Sequence, residues 1–247
     1  MMDRNLGANE GYDYVPTKEL DRSRASGLHY QWGRKDPFPG NFSKNAKGDV
    51  PIISGEITDN LLNVYGPDGY TFIPRKTQKG KNNIEGSAKL SDILYFGETT
   101  WCSEALTYLW DTDRNLKTFY DPSPSGWQVP DKSIFTNYLK NGTTTGLANL
   151  NATTNDKTQI DSDGGVLIKY DKSDGSRVTY YRLNGYPRFT DQYDGIGLIG
   201  SIWSRNNVTT RNGYSYIFVV DIRNDAYGIS QYQQQDAHQI RCIQEME

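Results

Sequence analysis

Beyond Val166 the apolar positions fall in short runs, each closed by Gly, Asn or Asp. Val166-Leu167-Ile168-Lys169-Tyr170 and Arg177-Val178-Thr179-Tyr180-Tyr181-Arg182-Leu183 flank Asp171-Lys172-Ser173-Asp174-Gly175-Ser176. That link is rich in turn formers, so the two runs read as a β-hairpin. Three more strands are predicted at 201–204, 214–222 and 239–243. Upstream the period lengthens: Ile134, Phe135, Tyr138 and Leu139 share one helical face after Asp131, a suitable N-cap, and Asn141-Gly142 closes the helix. A shorter helical pattern runs through Trp101, Ala105, Tyr108 and Leu109.

The pattern is weaker before residue 100. Gly27-Leu28-His29-Tyr30-Gln31-Trp32-Gly33 supplies one short strand, which the two prolines of Arg34-Lys35-Asp36-Pro37-Phe38-Pro39-Gly40 break. Gly69-Tyr70-Thr71-Phe72-Ile73 is another strand signal. A helix followed by many short strands is an α+β signature rather than an alternating parallel one. No repeat or linker divides the 247 residues. The chain reads as one domain, with a loop-rich part at 1–100 and a core part at 101–247.

Composition narrows the class. Only 35% of residues are hydrophobic, yet aromatics reach 13% and Tyr alone numbers 18, which argues against disorder. The 24 Gly and 10 Pro are spread out, as suits many loops. Net charge is −3 with scattered Lys and Arg, so the basic face of a nucleic-acid binder is not expected. No run approaches the roughly 18–20 apolar residues of a membrane helix. The opening residues lack the apolar segment of a signal peptide. Two cysteines, Cys102 and Cys242, are too few for a disulfide framework or a zinc site. One bridge or two free thiols both fit the sequence.

A catalytic set is hard to assemble. His29 and His238 are the only histidines, and neither a Gly-x-Ser-x-Gly elbow nor a His-Glu-x-x-His motif is present. His29 reads as a packed strand residue and His238 as a loop residue. Asp161-Ser162-Asp163-Gly164 and Asp171-Lys172-Ser173-Asp174-Gly175 invite a calcium reading, but neither continues to the distal Glu of an EF-hand. Ordinary turn chemistry explains both. No cofactor and no metal are expected. Arg4 and Arg34, near Asp3, Lys35 and Asp36, are expected to pin the N-terminal segment through forked hydrogen bonds and ion pairs.

Several blocks together resemble the Fibrobacter succinogenes major paralogous domain, as found in fimbrillin-like surface proteins of Bacteroides-type bacteria. They are Met2-Asp3-Arg4-Asn5-Leu6-Gly7-Ala8, Gly27 to Phe38, Tyr120-Asp121-Pro122-Ser123-Pro124-Ser125-Gly126-Trp127-Gln128-Val129-Pro130, Asn184-Gly185-Tyr186-Pro187-Arg188, Gly200-Ser201-Ile202-Trp203-Ser204 and Ile240-Arg241-Cys242-Ile243. The resemblance implies a C-type-lectin-like α+β fold of short antiparallel strands, loops and one or two short helices. It also implies a place on the bacterial outer envelope, as part of a longer exported protein, since Met1 stands where the family has Trp. In the family a cysteine occupies the position of Ser123 and pairs with the cysteine of the final strand. Cys242 therefore lacks its usual partner, and Cys102 is the remaining candidate.

The function so implied is a non-catalytic cell-surface recognition or adhesion module, with a glycan or a host or bacterial surface protein as partner. Trp127 and Trp203 are expected in the core. Tyr186, Arg188, Arg205, Asn206 and Tyr214, in the loops around the Trp203 strand, are the expected ligand-binding residues, because exposed Tyr and Arg combine contact area with polar tips. Two other classes fit less well: an enzyme related to the formylglycine-generating sulfatase-modifying fold, and a structural component of a fimbria-like assembly.

Overall fold

The computed structural model describes residues 1–8, 10–35, 76–79, 93–96, 99–101, 109–111, 117–142, 145–171, 173–188 and 193–245. The fold is α+β. Helices α1 (Glu19–Arg24) and α2 (Lys157–Asp163) are short, and a 3₁₀ helix spans Lys132–Tyr138. The strands are β1 (His29–Gln31), β2 (Lys76–Lys79), β3 (Ile93–Phe96), β4 (Trp127–Gln128), β5 (Gly165–Lys169), β6 (Val178–Arg182) and β7 (Asn184–Pro187). They continue with β8 (Tyr193–Ile196), β9 (Ile199–Asn207), β10 (Tyr214–Asp221), β11 (Ala226–Gln233), β12 (Ala237–Gln239) and β13 (Ile243–Gln244).

A five-stranded sheet in the order β1-β12-β9-β10-β11 organises the molecule. The β12–β9 pairing is parallel and the others antiparallel. Alternation along β9 and β10 divides their side chains between two cores. Trp203, Ile217 and Val219 pack with Leu28, Tyr30, Trp32, Tyr186 and Ile240 on one face. On the other, Ile202, Phe218 and Val220 pack with Phe135, Tyr138, Val166 and Tyr181.

The N-terminal segment runs along residues 240–242, which follow β12. The Met2 N–H donates to the Cys242 carbonyl at 2.8 Å and the Leu6 N–H to the Ile240 carbonyl at 2.8 Å. The clamp is Arg241, fully buried: Nε donates to Asn5 Oδ1 at 2.9 Å and Nη1 to Thr179 Oγ1 at 3.1 Å. Arg4 pairs on the surface with its neighbour Asp3 at 2.9 Å. Arg34 is buried, donating to Gln31 Oε1 at 2.5 Å with its guanidinium over Trp101. Asp36 lies outside the described residues.

The 166–183 hairpin forms, with Val166 opposite Tyr181. Both aspartates of its link cap their own turns: Asp171 accepts from the Ser173 N–H at 2.9 Å and Asp174 from the Ser176 N–H at 3.0 Å. The helix after Asp131 is a 3₁₀ helix. Asp131 caps it, accepting from the Ser133 N–H at 2.9 Å, but it ends at Leu139, which turns extended and bridges to Leu150. Burying Leu139 in a strand contact outweighs another helical turn, so Asn141-Gly142 is not the stop. Asp161 and Asp163 belong to α2 rather than to a turn. Asp156 caps its start, and Gly164 ends it at φ 62°. The run 239–243 divides between β12 and β13, and His238 is a strand residue rather than a loop residue. The strand signal at 69–73 and most of the pattern from Ala105 to Tyr108 lie outside the described residues, although Trp101 and Leu109 are buried in the first core.

The Tyr120–Pro130 block folds around Asp121, whose carboxylate accepts from the Ser123 N–H at 2.8 Å and the Val129 N–H at 2.9 Å. Strand β4 then pairs with β13, Gln128 opposite Ile243. This brings Ser123 against the Cys242 thiol, though without a well-aligned hydrogen bond. Cys242 is a buried free thiol, not half of a bridge. Cys102, the partner considered for it, lies outside the described residues. Trp203 is fully buried, and Trp127 packs against the same core.

Candidate functional site

The five residues expected to form one binding site are divided by the sheet. Tyr186 is buried on the first face, its ring 4.5 Å from that of His238 and 5.6 Å from that of Tyr232. Gly185 allows that entry: its φ is +67°, and a Cβ there would sit 2.5 Å from the Asp194 carbonyl. Arg188 lies near Asp194 at 3.5 Å, and Arg223 grips the same carboxylate at 2.6 Å. Burial works against the Asp194 carboxylate, but Arg223 and Arg188 outweigh it and hold its pKa below the ordinary range. This is a surface ion cluster tying the β7–β8 hairpin to the end of β10.

Arg205, Asn206 and Tyr214 lie at the opposite end of the β9–β10 hairpin. Here Ser215 pairs with Asn207 and Ile217 with Trp203, so Ser204, Arg205 and Asn206 stand against the single residue Tyr216. The bulged backbone leaves the ladder and bonds to the start of the 3₁₀ helix instead. The Arg205 N–H donates to the Pro130 carbonyl at 2.9 Å. Asn206 Oδ1 accepts from the Lys132 N–H at 2.7 Å, while its Nδ2 donates to Asp131 Oδ2 at 2.8 Å. Arg205, itself buried, approaches the same carboxylate at 3.6 Å. Burial disfavours the Asp131 carboxylate, yet the Ser133 N–H, the Asn206 amide and Arg205 together keep its pKa low. Arg205 and Asn206 are therefore positioning residues, and neither is presented for ligand binding.

What they position is a group in which the expected Tyr214 is joined by side chains that were not expected there. Tyr216 and Tyr214 lie on one face of β10, opposite Gln231 and Gln233 of β11. Both rings are half-buried and Gln231 is exposed. The fixed helix start carries Lys132 Nζ to 3.9 Å from the centre of the Tyr216 ring. On the turn before β10, the Arg211 guanidinium carbon lies 3.6 Å from the centre of the Tyr214 ring. Gln233 Nε2 donates to the Tyr214 hydroxyl at 3.0 Å. The alternation Tyr214-Ser215-Tyr216-Ile217 was the available signal, since it puts both tyrosines on one face. Lys132 was not legible, because only the bulge brings it there.

One pair on the first face has the residue types of a nucleophile and its base. Ser201 Oγ lies 2.6 Å from His238 Nδ1, and both are buried. Three rings enclose the imidazole: Tyr186, Trp203 at 4.6 Å and Tyr232 at 5.0 Å. Burial, with His29 nearby, holds the His238 pKa well below the usual histidine value. A substrate has no route to this serine hydroxyl while those rings are packed, so the pair reads as a packed polar contact. His29 is likewise buried, its Nε2 3.0 Å from the Gly185 carbonyl. Among the described residues no group of three or more His, Cys, Asp or Glu side chains is arranged to hold a metal ion, and no helix is long and apolar enough to cross a membrane. Comparison with protein-family models, curated proteins and solved structures finds no match for this chain.

Proposed function

We propose that this chain is a non-catalytic recognition or adhesion module of a bacterial cell surface, and that it engages a glycan or a surface protein through the Tyr214–Tyr216 face. The observation carrying this reading is the face itself: two half-exposed tyrosine rings, each capped by a cation, beside two carboxamides on a rigid sheet. Aromatic area with polar tips, held by strands rather than loops, suits recognition because little ordering entropy is lost on contact.

The resemblance to the C-type-lectin-like domain remains part of the proposal. It gains support from Ser123, which stands at the family's cysteine position and lies against Cys242. The outer-envelope setting rests on that resemblance alone. A binding screen of the intact chain against glycans and surface proteins, repeated with Tyr214→Ala plus Tyr216→Ala, tests the reading. Binding that the double substitution abolishes is expected. Binding indifferent to it would move the site elsewhere, and none above background would sink the recognition role.

A structural role in a fimbria-like assembly is the second reading, favoured by one observation. Strand β11 is an edge of the sheet, and past Tyr227, whose carbonyl accepts from Gly146, no described strand pairs with it. Such an edge can accept an added strand. Concentration-dependent self-association lost on Ile229→Pro would support it.

A further inference from the structure

The charge on the Tyr214–Tyr216 face points to a narrower ligand class than the recognition reading on which it rests. The chain carries a net charge of −3, yet the side chains that cap this face are Lys132 and Arg211. Among the described residues neither is paired with a carboxylate; each sits over a tyrosine ring instead. The nearby Asp131 does not neutralise them, because Asn206, the Ser133 N–H and Arg205 already engage it. A ring face occupies no more than part of a guanidinium's five N–H donors. An ammonium over a ring likewise retains protons for an outside acceptor. Both cations are thus held in place with unused donors.

We propose that this face binds an acidic saccharide. Lys132 and Arg211 hold its carboxylate or sulfate groups, while sugar rings lie beside Tyr214 and Tyr216 and hydroxyls meet Gln231 and Gln233. Charge-assisted hydrogen bonds from preheld cations supply the preference for an anion. The flat array of ring faces and carboxamides matches the C–H faces and hydroxyls of a pyranose. An acidic peptide would also find the cations. It would gain less from the face, because backbone pairing is available at the β11 edge and not on the sheet surface.

The test uses the intact chain with an oligogalacturonate beside its methyl ester, and with a sulfated cello-oligosaccharide beside the unsulfated one. These pairs keep the rings and remove the charge, and they separate carboxylate from sulfate as the source. At least one acidic form is expected to bind about tenfold more tightly than its neutral counterpart, and Lys132→Gln and Arg211→Gln should each remove about tenfold. Raising salt from about 0.05 to about 0.5 M should weaken the wild-type interaction, a readout that needs no variant. Equal binding of charged and neutral forms, dependent on the tyrosines, overturns the acidic preference and leaves the recognition reading standing. An acidic peptide that binds here when no saccharide does has the same consequence. If neither saccharides nor proteins engage this face, both fall together.

Discussion

On one face of the central sheet Ser201, Trp203, Tyr232 and His238 lie beneath Tyr186 of β7. On the other, Tyr214, Tyr216, Gln231 and Gln233 extend past the part that the 3₁₀ helix and the β5–β6 hairpin cover. Tyrosines and polar side chains occur on both sides. What differs is which neighbouring element covers them. Covering the first face turns a serine–histidine contact into packing. Leaving the end of the second uncovered turns two ordinary strand tyrosines into a surface a ligand can reach. Residue identity alone does not separate these outcomes.

The largest test of that contrast is truncation on each side. Trp203 is fully buried and its indole N–H donates to the Tyr30 carbonyl at 2.7 Å. Trp203→Ala should cost about 3–5 kcal/mol in equilibrium urea unfolding, through a cavity and an orphaned acceptor. Tyr216→Ala, on the open end, should cost no more than about 1 kcal/mol. Similar costs at the two sites would erase the distinction between a covered and an uncovered face.

The covered side also holds Cys242, with Ser123 against it. Burial pushes the Cys242 thiol up to about 12, so it should resist alkylation in the native protein and react on unfolding. Ser123→Cys is expected to close a bridge to Cys242 and to stabilise by about 2–4 kcal/mol without reductant. Mass spectrometry before and after reduction reads the bridge. Two thiols remaining free at positions 123 and 242 would show that the loop holds them at the wrong angle.

How much of this was legible follows from where the information sits. The hairpin around Asp171 and Asp174 was readable because its partners are adjacent in sequence and its turn residues are specific. The N-cap role of Asp131 was readable for the same reason. The helix type was not, because Leu139 is drawn into a bridge with Leu150, a contact invisible to local periodicity. Strand β11, Ala226-Tyr227-Gly228-Ile229-Ser230-Gln231-Tyr232-Gln233, escaped notice because Gly and Gln dilute its strand signal and β10 supplies its order. At the candidate site Tyr214 lies on the open end of β10, where its place in the strand was legible. Arg205 and Asn206 were assigned to a ligand because an exposed loop was expected where a bulge turns both inward. Tyr186 and Arg188 were grouped with them by motif, and only the sheet itself separates the two ends.

His238 offers a test of closure that needs no truncation. Its pKa in the folded state lies well below the ordinary value near 6.5, because burial disfavours the charged ring. The unfolded chain therefore binds the proton more readily. The contribution to stability is complete above about pH 6.5 and is lost as pH falls toward the folded-state value, at up to about 1.4 kcal/mol per pH unit. Urea midpoints between about pH 6.5 and 5 should fall in the wild type and fall less in His238→Gln. Matching slopes would mean that water reaches the ring and that the first face is not closed.

The smallest effects distinguish building the open end from using it. Asn206 accepts from the Lys132 N–H and donates to Asp131, so Asn206→Ala should cost about 1–2 kcal/mol by releasing the helix start. Among the described residues the Lys132 side chain contributes to the fold through its amine over Tyr216, a partly exposed cation–π contact worth about 0.5–1 kcal/mol, so Lys132→Gln should barely shift the urea midpoint. The two should differ in the opposite sense for an anionic ligand. Lys132→Gln removes a contact outright, whereas Asn206→Ala acts by letting Lys132 wander, and added salt should shrink the first deficit more than the second. If Asn206→Ala left both stability and binding untouched, the bulge would not be what fixes Lys132 over Tyr216.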